Sequence, residues 1–110
     1  MALALETSGT TTATGGGVED TLATLTGTKF YQLVIDTVNM VDGDTLEIKV
    51  KSKVLNGGTT RLEQIAVYTH GQVEPIKRSL PFASDQELVF TITQSGAGTD
   101  KAFPWKVMSW

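Results

Sequence analysis

The sequence predicts an all-β protein: a single antiparallel β-sandwich or jelly-roll barrel of about seven or eight short strands with an extended N-terminal arm. From Val18 onward, apolar and polar residues alternate with a period of two, which places successive side chains on opposite faces of a strand. No stretch of about ten residues combines helical apolar spacing with capping residues. Because 110 residues are enough for one hydrophobic core but not for two, we expect one folded domain.

The clearest predicted strand covers residues 45–54, whose two faces differ in character. The face assigned to the core carries Leu46, Ile48, Val50, Ser52 and Val54, and the face assigned to solvent carries Glu47, Lys49, Lys51 and Lys53. One buried and one wet face are typical of an antiparallel sheet. The row of lysines fits two roles, either keeping the sheet from pairing with another chain or meeting an acidic partner.

Five further runs continue the strand pattern to the C-terminus: residues 30–38, 60–70, 74–80, 87–94 and 102–110. An Asp-Gly turn at residues 42–43 joins the first of these to the 45–54 strand as a hairpin or a short meander. Leu62 and Ile65 have opposite parity, and a β-bulge near Glu63 and Gln64 would reconcile them. Pro75 and Pro81 make residues 74–80 an edge segment or a connection between sheets.

The remaining strand features concern turns and aromatic residues. A glycine-rich turn at residues 96–98 precedes the last strand, and Pro104 confines that strand to an edge or to a position whose amide is not needed. We assign Phe30, Phe90, Phe103 and Trp105 to the core, and leave Tyr31, Tyr68 and Trp110 as candidates for exposure. Exposed Tyr or Trp would suit a protein interface or sugar stacking.

Residues 1–17 are the predicted flexible or extended arm, and residues 18–110 the β-sandwich domain. Residues 6–17 carry one charge, no large apolar side chain and three consecutive glycines, so they cannot offset the entropy of ordering by burying surface. Leu3 and Leu5 ahead of them suggest a tether that docks on a neighbour, and a frayed terminus is the alternative. The apolar start is too short for a secretion signal or a membrane span, so we expect a protein that is made and used without export.

Composition argues against catalysis, cofactors and nucleic acid. The absence of cysteine removes disulfides, thiolate metal sites and thiol nucleophiles. A net charge of -3 does not suit neutralising phosphates. His70 is the only histidine, and one imidazole makes neither a multi-ligand metal site nor a triad. Asp42, Asp44 and Glu47 could hold calcium, but they lack a calcium-loop pattern and a hairpin turn also explains them.

Three segments resemble small virion proteins of tailed bacteriophages, in particular the capsid cement, or decoration, proteins. They are residues 33–37 (LVIDT), 43–48 (GDTLEI) and 98–107 (GTDKAFPWKV), and they follow a short lead rich in threonine and glycine. The resemblance implies a small β-barrel or jelly-roll protein outside an icosahedral shell, often a trimer, whose N-terminal arm reaches over neighbouring capsid subunits. Linked contacts within a trimer would let modest patches hold the shell firmly.

These observations predict a non-enzymatic structural protein that stabilises the outside of a phage capsid. The resemblance implies the major capsid protein as partner, a homo-oligomer with a trimer favoured, and a virion location after assembly in the host cytoplasm, with no membrane partner. The candidate partner-binding residues are Leu3, Leu5, Thr7, Thr10, Thr12, Tyr31, Val89, Met108 and Trp110. One alternative is a tail, neck or head-completion protein that forms rings. Another is a carbohydrate-binding module that uses Tyr31, Tyr68, Trp105 and Trp110.

Overall fold

The computed structural model describes residues 2–96 and 101–110, which form nine β-strands. The strands are β1 (Ala4–Thr12), β2 (Glu19–Leu25), β3 (Lys29–Asp36), β4 (Thr45–Ser52), β5 (Arg61–Thr69), β6 (Ile76–Arg78), β7 (Phe82–Ser84), β8 (Leu88–Ser95) and β9 (Ala102–Ser109). None of the described residues belongs to a helix long and apolar enough to span a bilayer.

The strands form two antiparallel sheets that pack face to face. Sheet A has the order β1-β9-β3-β6, with β7 also paired to β3, and sheet B has the order β2-β8-β4-β5. The chain therefore crosses between sheets after β1, β2 and β3, stays in sheet B for the β4–β5 hairpin, and crosses again after β5, β7 and β8. Two packed sheets connected in this way form a jelly roll, which confirms the predicted fold class.

The core fills the space between the two sheets. Its fully buried side chains include Tyr31, Leu33, Ile35, Leu46, Val50, Leu88, Phe90, Ile92, Phe103 and Val107. The period-two assignments for β4 and β8 are confirmed, since the alternate residues of both strands point inward. Val54 is an exception: it lies beyond the end of β4 and is 85% exposed.

At the start of β3, the structure reverses which residue faces the core and which faces solvent, compared with the prediction. Phe30 was assigned to the core but is 40% exposed, whereas Tyr31 was a candidate for exposure and is 0% exposed. The reason is parity, because Tyr31 shares a face with Leu33 and Ile35, which both belong to the core. Tyr31 therefore cannot contact a partner from the folded domain, which corrects its assignment as a partner-binding residue.

Residues 4–12 were predicted to be part of a flexible or extended arm; they are extended, but they belong to sheet A. They form β1, which pairs with β9 along its length with a bulge between Leu5 and Thr7. The main-chain ladder explains the difference, because β1 gains hydrogen bonds without burying large side chains. Gly15, Gly16 and Gly17, with φ of 81°, 64° and 83°, then turn the chain toward β2.

The remaining strand predictions are confirmed in part. The bulge near Glu63 is present, because Val50 pairs with Gln64 while Lys51 pairs with Leu62. The segment between Pro75 and Pro81 contains β6 at the edge of sheet A. β9 is a central strand, and Pro104 lies one residue beyond its last pair with β3. Of the turn predicted at residues 96–98, residues 97 and 98 lie outside the described residues.

Candidate interaction surface

The outer face of sheet A combines apolar and charged side chains from four strands. The residues whose parity places them on this face are Leu5, Ser8 and Thr10 of β1, Pro104, Lys106 and Met108 of β9, Phe30, Gln32, Val34 and Asp36 of β3, and Ile76 and Arg78 of β6. Leu5 and Ile76 are 59% and 52% exposed. A contiguous outer face of this composition is typical of a protein interface.

A shallow depression of about 420 Å³ crosses all four strands of this face. Leu5 and Ile76 lie on opposite sides of it, and Val34 lies between them. Val34 is only 6% exposed although its side chain points away from the core, because side chains of neighbouring strands surround it. Asp36, Arg78 and Lys106 also line the depression, so an apolar floor is bordered by both signs of charge.

An aromatic pair occupies the other end of the same sheet. The rings of Phe30 and Trp110 are stacked, with centroids 5.9 Å apart and planes inclined by 11°. Each residue donates its main-chain N–H to the carbonyl of the other, at 3.0 and 3.2 Å, so the C-terminal Trp110 is held in the ladder. A groove of about 300 Å³ beside this pair is also lined by Thr28, Lys29, Ala83, Ser84 and Asp85.

Around β4 the outer face of sheet B is charged, and the lysines there are paired with carboxylates. Glu19 lies 2.8 Å from the Lys51 ammonium and 3.9 Å from that of Lys49, and it accepts a hydrogen bond from the Thr91 hydroxyl. The hydrogen bonds from Lys51 and Thr91 hold the pKa of Glu19 below its usual value. Lys53 lies 3.8 Å from Glu87. The predicted lysine row therefore meets carboxylates of its own chain.

The candidate metal and histidine positions have local structural roles. Asp44 is 1% exposed, and its carboxylate accepts hydrogen bonds from the Val41 N–H and from the Gln94 amide, with Lys101 at 3.7 Å. These contacts favour a turn at Asp44 over calcium binding, but the turn joins β3 of sheet A to β4 of sheet B, so the predicted hairpin or meander between these two strands is wrong. The Gly43 N–H donates to Nδ1 of His70. Within residues 2–96 and 101–110, no three His, Asp or Glu side chains are grouped so as to hold a metal ion.

The structure brings together some of the predicted partner-binding residues and separates others. Leu5 and Met108 are cross-strand neighbours on the outer face of sheet A, and Trp110 lies at the aromatic end of that sheet. Thr10 and Thr12 are exposed on β1, Thr7 is half-buried, and Leu3 is exposed just before the strand. Val89 lies on the outer face of sheet B, opposite Lys51.

Sequence reasoning missed Ile76, Val34, Arg78 and Phe30 as members of this surface. Val34 and Arg78 are paired because β6 returns to the edge of β3. That pairing joins residues far apart in the chain, and no local pattern indicates it. Phe30 could have been found, because it has the opposite parity to Leu33 and Ile35.

The aromatic residues offered for sugar binding do not form one platform. Tyr31 is in the core, and Tyr68 lies half-buried with the Lys77 ammonium 5.0 Å from its ring centre. Trp105 packs against the core and donates its indole N–H to the Thr11 hydroxyl. Of the four, Trp110 lines the aromatic groove, together with Phe30.

The fold is shared with a viral protein chain. No protein-family model matches the chain, and no curated protein matches it. A chain in a structure of infectious bursal disease virus, Gt strain, aligns with a TM-score of 0.53 and 15% identity over 98% of this chain and 32% of that one. A chain of the Gx strain aligns with a TM-score of 0.46 and 19% identity over 98% and 30%. This protein thus spans about a third of the viral chains that it matches.

Proposed function

We propose that this chain is a non-enzymatic structural protein of a virus particle, which binds a capsid shell through the outer face of sheet A. The observation that carries the proposal is the apolar depression formed by Leu5, Val34 and Ile76 across four strands and bordered by Asp36, Arg78 and Lys106. An apolar centre with a charged border suits a partner protein. The fold shared with a chain of a virus structure supports a role in a virion.

At a finer level we propose a capsid cement protein on the outside of a bacteriophage shell, with the major capsid protein as partner. The segments at residues 33–37, 43–48 and 98–107 support this through their resemblance to that family. The trimer that the resemblance implies stays a prediction. A tail or neck protein would use the same face to build rings, and a native mass of six or twelve copies in a closed ring would favour it.

The test is attachment of the purified protein to particles of the encoding virus that were assembled without it. Wild-type protein should co-sediment with these particles at micromolar concentration. Ile76→Lys places a charge in the depression, where its cross-strand neighbour Asp36 accommodates the cation, so folding should persist. We expect this variant to bind at least about tenfold more weakly.

Val73→Lys is the matched control, because it adds the same charge at a side chain that is 99% exposed and outside the depression. It should bind like the wild type, and circular dichroism should show the same β spectrum for all three proteins. Failure of the wild type to co-sediment would overturn the proposal. Equal binding of the Ile76→Lys and Val73→Lys variants would exclude this face as the attachment site.

Carbohydrate binding is the second candidate, and the stacked Phe30 and Trp110 rings beside a groove support it. An exposed aromatic surface offers a stacking platform for a sugar, and Lys29, Ser84 and Asp85 offer polar contacts to its hydroxyls. Tryptophan fluorescence across a glycan panel would test it, with Trp110→Phe as the variant that removes the reporter in the groove and leaves Trp105. Unchanged emission from the wild type over the whole panel would reject this function.

A further inference from the structure

β5 is the outermost strand of sheet B, and its residues 64–69 present an uncharged edge. It pairs with β4 on one side, and the described part of the chain places no strand on its other side. Ile65 and Val67 point to the outer face of the sheet and are 45% and 50% exposed. Residues 64–69 contain no charge, proline or glycine. An edge of this kind is a template for pairing with another chain.

The direction of the free main-chain groups follows from one hydrogen bond. The His70 N–H donates to the Asp44 carbonyl at 2.8 Å, so these residues form a hydrogen-bonded pair that extends the β4–β5 ladder. Such pairs alternate with non-bonded pairs in an antiparallel ladder. The main-chain groups of Ile65, Val67 and Thr69 therefore point away from β4.

The other neighbour of β4 provides an independent check. The Lys53 N–H donates to the Glu87 carbonyl at 3.2 Å, on the side of β4 that faces β8. Odd-numbered residues of β4 thus bond to β8, and even-numbered residues such as Leu46 and Ile48 bond to β5. The partners of these two on β5 are Tyr68 and Ala66, as the alternation requires.

The other described sheet edges carry features that discourage pairing. β2 begins with Glu19 and Asp20 and has a bulge between Thr21 and Ala23. β6 and β7 are three residues each, and prolines lie between and before them. β1 has a bulge and carries small polar residues. Charges, bulges, prolines and short strands all protect an edge, and residues 64–69 have none of them.

We propose that two copies of this chain pair antiparallel through β5, centred on Val67, so that two four-stranded B sheets join into one continuous sheet. In this register Val67 faces Val67 on the two-fold axis, and Ile65 faces Thr69 on either side. Each pair exchanges two main-chain hydrogen bonds. In the single chain the Thr69 carbonyl accepts a hydrogen bond from the Gln72 side chain at 2.7 Å. In the dimer the Ile65 N–H of the partner replaces Gln72 as the donor to that carbonyl.

A second copy suits this edge because the register is self-complementary. β-branched residues face one another on the outer side, and Ala66 faces Tyr68 on the inner side, with no like charges opposed. The segment is also bounded at both ends, by the bulge at Glu63 and by His70 with φ of 63°. The bounded length favours a closed two-fold pair. This pairing does not depend on capsid binding.

Disulfide trapping tests the register, because the chain has no cysteine of its own. Opposed residues of a hydrogen-bonded antiparallel pair have Cα atoms about 5.5 Å apart, which a disulfide can span. Val67→Cys should oxidise to a covalent dimer. Ile65→Cys, which faces Thr69, and Val54→Cys, which is 85% exposed outside β5, should do so much more slowly. Equal rates for all three variants would overturn the proposed pairing.

Sedimentation equilibrium tests the dimer itself. Wild-type protein should show twice the chain mass as its concentration rises, or an even copy number if a three-fold contact is also present. Val67→Lys opposes two cations on the axis and should raise the dissociation constant at least about tenfold. Ile76→Lys, with the same charge on sheet A, should leave it unchanged. A wild type that stays monomeric, forms only trimers or grows without limit would overturn the proposal, as would a Val67→Lys variant that dimerises normally.

Discussion

Gly27, between β2 and β3, allows a test of how tightly the core packs near the aromatic groove. A Cβ atom added there would lie 2.6 Å from the Tyr31 hydroxyl oxygen. Tyr31 is fully buried, so its ring cannot move away without disturbing its neighbours. The φ of Gly27 is not in the left-handed region, so alanine fits the backbone, and on that ground alone Gly27→Ala would stabilise by about 0.4–1 kcal/mol.

The steric contact with the Tyr31 hydroxyl outweighs this stabilisation, so the net effect of Gly27→Ala is destabilising. Overpacking a core costs about 1–3 kcal/mol, so we expect Gly27→Ala to lower the free energy of unfolding by about 1–2 kcal/mol in total. Tyr31→Phe removes the obstructing oxygen, which has no hydrogen-bond partner among the described residues. That change alone should be within about 1 kcal/mol of neutral.

A double-mutant cycle measured by urea denaturation separates the two effects. In the Tyr31→Phe background, Gly27→Ala should be neutral or stabilising, which gives a coupling of about 1–3 kcal/mol between the two positions. An equal m-value in all four proteins would confirm that only the folded state changed. If Gly27→Ala costs the same in both backgrounds, the contact with the Tyr31 hydroxyl is not what limits this site.

Phe90→Ala removes a fully buried ring and should lower the free energy of unfolding by about 3–5 kcal/mol, measured by urea denaturation. Glu19→Gln should cost about 0.5 kcal/mol at neutral pH, because the bonds to Lys51 and Thr91 lie at the surface and are only partly buried, so solvent screens the ion pair. Since the folded-state pKa of Glu19 lies below its ordinary value of 4.5, this contribution is complete above that pH and is lost as pH falls through the lower value; urea midpoints of wild type and variant should converge in acid. Gly9→Val would place a Cβ atom 3.2 Å from the Trp105 ring. Compared with the wild type, hydrogen exchange of this variant should show a larger loss of protection in β1 than in β8.

The strands that bury alternate side chains could be predicted from the sequence. β1 does not bury alternate side chains, and it could not be predicted as a strand. Leu46, Ile48 and Val50 on β4 indicated both the strand and its inner face. β1 has no such signal, because its residues are small or polar and its ladder with β9 forms between main-chain groups. Hydropathy measures burial of side chains, so a strand stabilised mainly by backbone pairing at a sheet edge looks like a mobile arm.

Only part of the docking surface could be predicted from the sequence. Leu5 and Met108 were proposed from their positions in the sequence, and the β1–β9 pairing makes them neighbours. Ile76 could not be added to them, because the order of strands in sheet A decides which side chains meet across it. For the same reason the unpaired edge of β5 could not be predicted. Alternation of apolar and polar residues identifies a strand but does not show whether both of its edges are paired.

The two proposed contacts lie on different sheets, and this separation has a consequence for attachment. Pairing through β5 uses the edge of sheet B, whereas the depression near Ile76 lies on the outer face of sheet A. A dimer would therefore carry two docking faces, and the first to bind would raise the effective concentration of the second. We expect Val67→Lys to weaken attachment to particles at low protein concentration although its docking face is intact. Ile76→Lys should weaken attachment at every concentration and leave the dimer unchanged. If Val67→Lys abolishes the dimer yet attaches as tightly as the wild type at low concentration, the two docking faces of a dimer do not bind one particle at the same time.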